Sequence, residues 1–154
     1  MAHKTFISYK YSDGTAMRDA IVAALGPDAS FYKGETSASP CMGYDAEGTI
    51  RNKLAKMLFD TSVLIVIISP SIDLSAWVPW EISYATSREK RYVQSQPNGV
   101  VVAFPDSPLF GSYQKTLDLI KAKSDPCEVK VNYLLGHARA CVDEAFQKAQ
   151  ARNG

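Results

Sequence analysis

The sequence predicts an α/β protein with a mainly parallel central sheet and helices on both faces. Strand-like and helix-like segments alternate from residue 4 to residue 104, which is the pattern of βαβ units. Two of the strand segments, VLIVII (63–68) and GVVVAF (99–104), run apolar without alternation, as central strands covered on both sides do.

The elements follow in order. KTFISY (4–9) is rich in β-branched and aromatic residues and reads as the first strand. KYSDG is a polar turn whose Asp13 caps the next helix. In that helix Ala16, Met17, Ala20, Ile21, Ala24 and Leu25 recur at helical spacing, and Gly26 and Pro27 stop it. A short strand is expected at Ser30–Tyr32, then a long loop over 33–48, a length that is often functional. A second helix covers about Ala46–Phe59, with Ile50, Leu54, Met57 and Leu58 on one face. The central strand lies within SVLIVIIS (62–69), and SPSIDLSA forms a loop. A third helix runs from Trp77 to about Arg91, with Pro79 tolerated in its first turn. After GVVVAF come the loop PDSPLF, a short helix at Tyr113–Ala122, an edge strand within DPCEVKVNYLL and a closing helix from about Gly136 to Gln150. There is no repeat, linker or low-complexity segment, so residues 1–154 are read as a single domain.

Composition narrows the function classes. The chain has 154 residues, 46% of them hydrophobic and 21% charged, an ordinary globular balance. A net charge of +1 provides no electrostatic footprint for nucleic acid or an anionic membrane. The VLIVII run is far short of the ~20 residues that span a bilayer. The start, MAHKTFISYK, lacks a signal-peptide core, so a cytoplasmic protein is expected. Cys41, Cys127 and Cys141 are odd in number and show no C-x-x-C spacing; they read as reduced thiols. His3, at the terminus and read as disordered, and His137 have no cysteine or carboxylate at ligand spacing, so no metal site is expected. Without a G-x-S-x-G elbow, a Ser–His–Asp triad through His137 is not supported either.

In an open α/β sheet, ligands bind beyond the carboxyl ends of the strands. Those ends are Ser8–Asp13, Tyr32–Tyr44, Ser69–Trp77 and Pro105–Gly111. Tyr11 lies in the first, and Glu81 follows the third, inside WVPWE (77–81). The helix N-terminus favours an ionised carboxylate there, while the two tryptophans desolvate it. A carboxylate ionised but poorly hydrated suits stabilising a positive centre. Trp77 and Trp80 offer faces for a flat cationic ring, such as the nicotinamide of oxidised NAD. Loss of that ring leaves an oxocarbenium-like ribose, which a carboxylate stabilises as in glycosidases. The plainer reading makes both tryptophans core and Glu81 a residue that complements the helix dipole. Asp45 reads either as an N-cap, with Tyr44 packing beside it, or as a holder of a ribose hydroxyl. SREKRY (87–92) reads as a solvated helix end.

FISYKYSD (6–13), TSVLIVIISP (61–70) and WVPWEI (77–82) together resemble a TIR or TIR-like domain of the bacterial kind found in Thoeris anti-phage systems (ThsB-like). The third motif has the W-x-x-x-E spacing, with Trp77 and Glu81 in the matching places. The resemblance covers residues 4–104 and implies a flavodoxin-like α/β/α fold. For enzymatic members it implies cleavage of the nicotinamide–ribose bond, with NAD as substrate and no cofactor. Glu81 matches the catalytic glutamate, and Ser8 and Tyr9 match the loop bordering the substrate pocket. It also implies a nucleotide product, either a cyclic ADP-ribose isomer or an ADP-ribose conjugate, that activates a separate effector protein. Neither the 33–48 loop nor the 105–154 tail matches a motif of that family. Two other functions stay open. One is a non-catalytic interaction module; the other is a nucleoside deoxyribosyltransferase-like enzyme with the same carboxylate as nucleophile. An enzyme that spends a central metabolite is expected to be latent until triggered, by a ligand or by homo-oligomer assembly.

Overall fold

Five strands form one all-parallel sheet in the order β2-β1-β3-β4-β5. They are β1 (Thr5–Ser8), β2 (Ala29–Phe31), β3 (Val63–Ile67), β4 (Gly99–Phe104) and β5 (Cys127–Lys130). Among the described residues the α-helices are α1 (Tyr11–Leu25), α2 (Tyr44–Phe59), α3 (Val78–Thr86), α4 (Gln114–Lys123), α5 (Val131–Gly136) and α6 (Ala138–Asn153). This computed structural model describes residues 3–31, 44–87 and 97–153, with the side chains of 44–50 and 153 outside the description. The strand order is that of a flavodoxin-like α/β/α sandwich.

The apolar runs sort by parity. Leu64, Val66 and Ile68 face one core with Phe6, Val100 and Val102, while Val63, Ile65 and Ile67 face the other with Ile7, Val101 and Ala103. Helices α2, α3 and α4 cover the first core through Leu54, Leu58, Val78, Ile82, Leu117 and Ile120. Helices α1, α5 and α6 cover the second through Ile21, Leu25, Leu134, Cys141, Val142 and Ala145. Gly99 allows α6 to seat closely, since a Cβ there would lie 2.2 Å from the Ala145 carbonyl oxygen. The tail that matched no motif belongs to the same sheet: β5 pairs with β4 in parallel register, Val101 to Cys127 through Phe104 to Lys130.

Several expectations need correcting. Helix α1 begins at Tyr11 after Lys10, so Asp13 falls inside its first turn and does not cap it. Its carboxylate instead accepts the backbone N–H and hydroxyl of Ser71 at 2.9 and 2.7 Å. The α1 stop holds, because the chain turns at Gly26 with φ 68° and Pro27 follows. Strand β2 sits one residue earlier than expected. Helix α2 begins by Tyr44, so Asp45 lies within it and is not its N-cap; the Asp45 side chain and most of the expected 33–48 loop are outside the described residues.

Helix α3 ends at Thr86, well short of Arg91. Ser87 turns extended, and the amide of Asn98, from the returning chain, takes the Ala85 carbonyl at 2.8 Å. Of SREKRY, only Ser87 is described, and it lies past the helix. Helix α5 was unforeseen. Its first turn is capped from afar, with Asn132 N–H donating to the Asp106 carboxylate at 2.9 Å. His3 is ordered: its ring stacks on Phe146 at 4.1 Å, with Nε2 3.2 Å from Asp143. Cys127 and Cys141 are free and buried, small hydrophobes as expected; Cys41 lies outside the described residues.

Candidate active site

The sheet reverses its winding between β1 and β3, since β2 lies beyond β1 on one side and β4 and β5 lie beyond β3 on the other. The crevice beyond the carboxyl ends of such neighbours is the default ligand site of this architecture. Ser8 is the last residue of β1, in register with Val66 of β3. Its hydroxyl donates to Glu81 Oε1 at 2.8 Å, across 73 residues of sequence. Both are buried, Ser8 at 0% exposure and Glu81 at 2%.

Glu81 reaches this point because α3 starts where it does. Ser75 Oγ accepts the N–H groups of Trp77 and Val78 at 3.3 and 3.1 Å, which satisfies amides that the helix leaves unpaired. Pro79 occupies the first turn, where its missing N–H costs nothing. The Glu81 N–H closes the first helical bond onto the Trp77 carbonyl at 2.9 Å. Burial opposes the charge of the Glu81 carboxylate, whereas the positive end of α3 and the Ser8 hydroxyl favour it.

The loop between β3 and α3 is tied on two sides. Asp13 holds Ser71 from α1. Asp73 accepts the backbone N–H groups of Lys115 and Thr116 and the hydroxyls of Ser112 and Thr116, so it caps α4. Burial alone would raise the Asp73 pKa, but the bonds from Thr116, Ser112 and Lys115 win and hold it below its ordinary 3.8. In return, Asp73 N–H donates to Ser112 O and Ser112 N–H to Pro70 O, at 3.1 and 2.7 Å. The turn needs Gly111, which has φ +98° and whose Cβ would lie 2.3 Å from the Pro70 oxygen.

A family model describing the TIR-like domain of the Thoeris protein ThsB matches residues 6–103. The chain belongs to this family. The ThsB-family match runs from within β1 into β4, as far as Ala103, and contains both Ser8 and Glu81. The elements after it supply α4, the helix that Asp73 caps, and α6, which backs β4.

The other sequence-predicted residues are dispersed around this pair. Tyr9 is buried on the opposite face from Ser8, where Arg18 donates to its hydroxyl at 2.8 Å and packs over both the Tyr9 and Phe31 rings. Trp77 is 8% exposed and belongs to the first core, whereas Trp80 is half-buried and stacks on Tyr84 at 5.1 Å. The two indoles therefore differ in exposure and role, one packed inside and one paired with a tyrosine. Tyr11 is exposed at the start of α1. Asp45 lies in α2, with its side chain outside the described residues. Sequence reasoning missed Ser75, Asp73, Asp106 and Gly111. Only Ser75 had a local signal, a small hydroxyl residue three positions before the first helical one.

Among the described residues, no group of three or more His, Cys, Asp or Glu side chains could hold a metal ion, and no helix is long and apolar enough to cross a membrane.

Proposed function

We propose that this ThsB-family protein cleaves the nicotinamide–ribose bond of NAD and acts in anti-phage defence. The observation that carries the reading is the buried Glu81 carboxylate, held by Ser8 at the switch point of the sheet. In the reaction, the C1′–N bond breaks and its electron pair leaves with the ring, neutralising nicotinamide. The oxocarbenium centre left at C1′ is stabilised by the Glu81 carboxylate. Capture by water, by a ring nitrogen of the same molecule or by another nucleophile gives hydrolysis, a cyclic product or a conjugate. The product is an ADP-ribose-derived signal read by a separate effector protein. Tyr11 and Trp80, each with solvent-accessible surface, are the aromatic candidates for contact with the substrate; Asp45 is assigned to the ribose.

Glu81 at 2% exposure supports a latent state. Substrate meets this carboxylate only once neighbouring groups move, as a trigger or self-assembly would bring about by population shift. A cytoplasmic setting, in which NAD is at hand, fits this role. The test follows NAD and its products by mass spectrometry in lysate from phage-challenged cells expressing wild type or Glu81→Gln. Nicotinamide release should depend on Glu81, and the mass of the second product names the capture route. Equal NAD loss in both samples would rule out the role of Glu81, and no loss in either would favour a non-catalytic assembly module.

A further inference from the structure

We propose that Ser8 is a positioning residue that fixes the Glu81 carboxylate for reaction, and that it does not itself touch substrate. This rests on the reading of Glu81 as the reacting carboxylate. Ser8 has no exposed surface, so its hydroxyl meets nothing that enters from solvent in this state. It sits on an interior strand, between β2 and β3, and its side chain points toward the core that α3 covers. A strand paired on both sides is among the stiffest parts of a domain, whereas α3 is a nine-residue helix approached through a loop. The 2.8 Å bond therefore ties a carboxylate on a short helix, reached through a loop, to an interior strand.

Stability alone does not account for the pair. Two apolar side chains at these positions would pack without desolvating an acid, and such exchanges are often neutral or stabilising. A hydroxyl donating to the charged form also favours ionised Glu81, the form that stabilises a positive ribose. Ser8 is thus assigned to the chemistry through Glu81 and not to substrate binding.

The test compares Ser8→Ala, Ser8→Thr and Glu81→Gln as full chains in the triggered lysate, with folding checked by thermal melting. Ser8→Ala should lower kcat about ten- to a hundredfold, the effect of one lost hydrogen bond to a charged group, and leave KM for NAD unchanged. Ser8→Thr keeps the hydroxyl and should recover most of the rate; if its added methyl unfolds the core, the structural comparison below decides the proposal. A Ser8→Ala enzyme with wild-type kcat, or one altered only in KM, overturns the proposal while a dead Glu81→Gln leaves the NAD reading intact. An active Glu81→Gln rules out Glu81 as the reacting carboxylate, and the proposal that rests on it falls, while NAD cleavage by the protein stands. A second readout needs no activity: crystal structures of wild type and Ser8→Ala. The Glu81 carboxylate should leave its position or spread over two rotamers in the variant, and an unmoved carboxylate overturns the proposal.

Discussion

Replacing Asp73 by alanine should destabilise the fold by about 2–4 kcal/mol. The carboxylate accepts four hydrogen bonds, two from backbone amides at the start of α4 and two from hydroxyls. Loss of a capping carboxylate costs about 1 kcal/mol, with a range of roughly 0.5–2. Thr116 is only 2% exposed, so its hydroxyl loses its partner in a place that water does not reach, at about 1–3 kcal/mol. For a chain of this size each kcal/mol moves Tm by about 2–4 °C, so the drop should be about 4–16 °C. Asp73→Asn keeps one acceptor oxygen and should lie between wild type and alanine.

Circular dichroism melts across pH test the electrostatic part. The folded pKa of Asp73 lies below its ordinary 3.8, so ionisation stabilises the fold. That contribution is complete above the unfolded pKa and is lost as pH falls through the lower folded one. The Tm gap between wild type and Asp73→Ala should stay level from about pH 8 to about pH 5 and narrow below about pH 4. An alanine variant that melts with the wild type at neutral pH would refute the reasoning, because the four bonds would then contribute nothing net.

Two further outcomes follow from packing. Gly99→Ala forces a methyl against the Ala145 backbone at 2.2 Å, and neither β4 nor α6 gives way cheaply; urea unfolding should show a loss of about 3 kcal/mol or more, with near-wild-type stability counting against the seating of α6. Burial, with Glu144 nearby, pushes the Cys127 thiol up to about 11, and the same causes raise Cys141. Both should resist alkylation in the native chain at neutral pH and react once it is denatured. Mass spectrometry of each cysteine peptide checks this, and native labelling at either would refute it.

The parallel sheet was legible because a strand buried on both sides has to be apolar at every position. The run AIVAAL (20–25) is as apolar, but VLIVII and GVVVAF are richer in β-branched residues, which favours strand. The start of α3 was legible for a similar reason, since proline is comfortable only in a first turn. Helix ends were less legible where the group that finishes them comes from elsewhere. Asn98 closes α3 and Asp106 opens α5, and no window of local periodicity contains both partners. Asp13 misled for the opposite reason: a residue suited to capping was engaged by Ser71 across the sheet edge.

By itself the sequence determined the layered α/β architecture, the placing of Glu81 at a helix start and, through three ordered motifs, a family resemblance. These follow from local physics: burial pattern along a strand, spacing along a helix, and the dipole at its beginning. Only the tertiary structure decided that Ser8 meets Glu81, that Tyr9 turns to the other core, and that Trp77 is inside while Trp80 pairs with Tyr84. A strand sends successive side chains to opposite faces, so neighbours in sequence part while residues 73 apart come within hydrogen-bond reach.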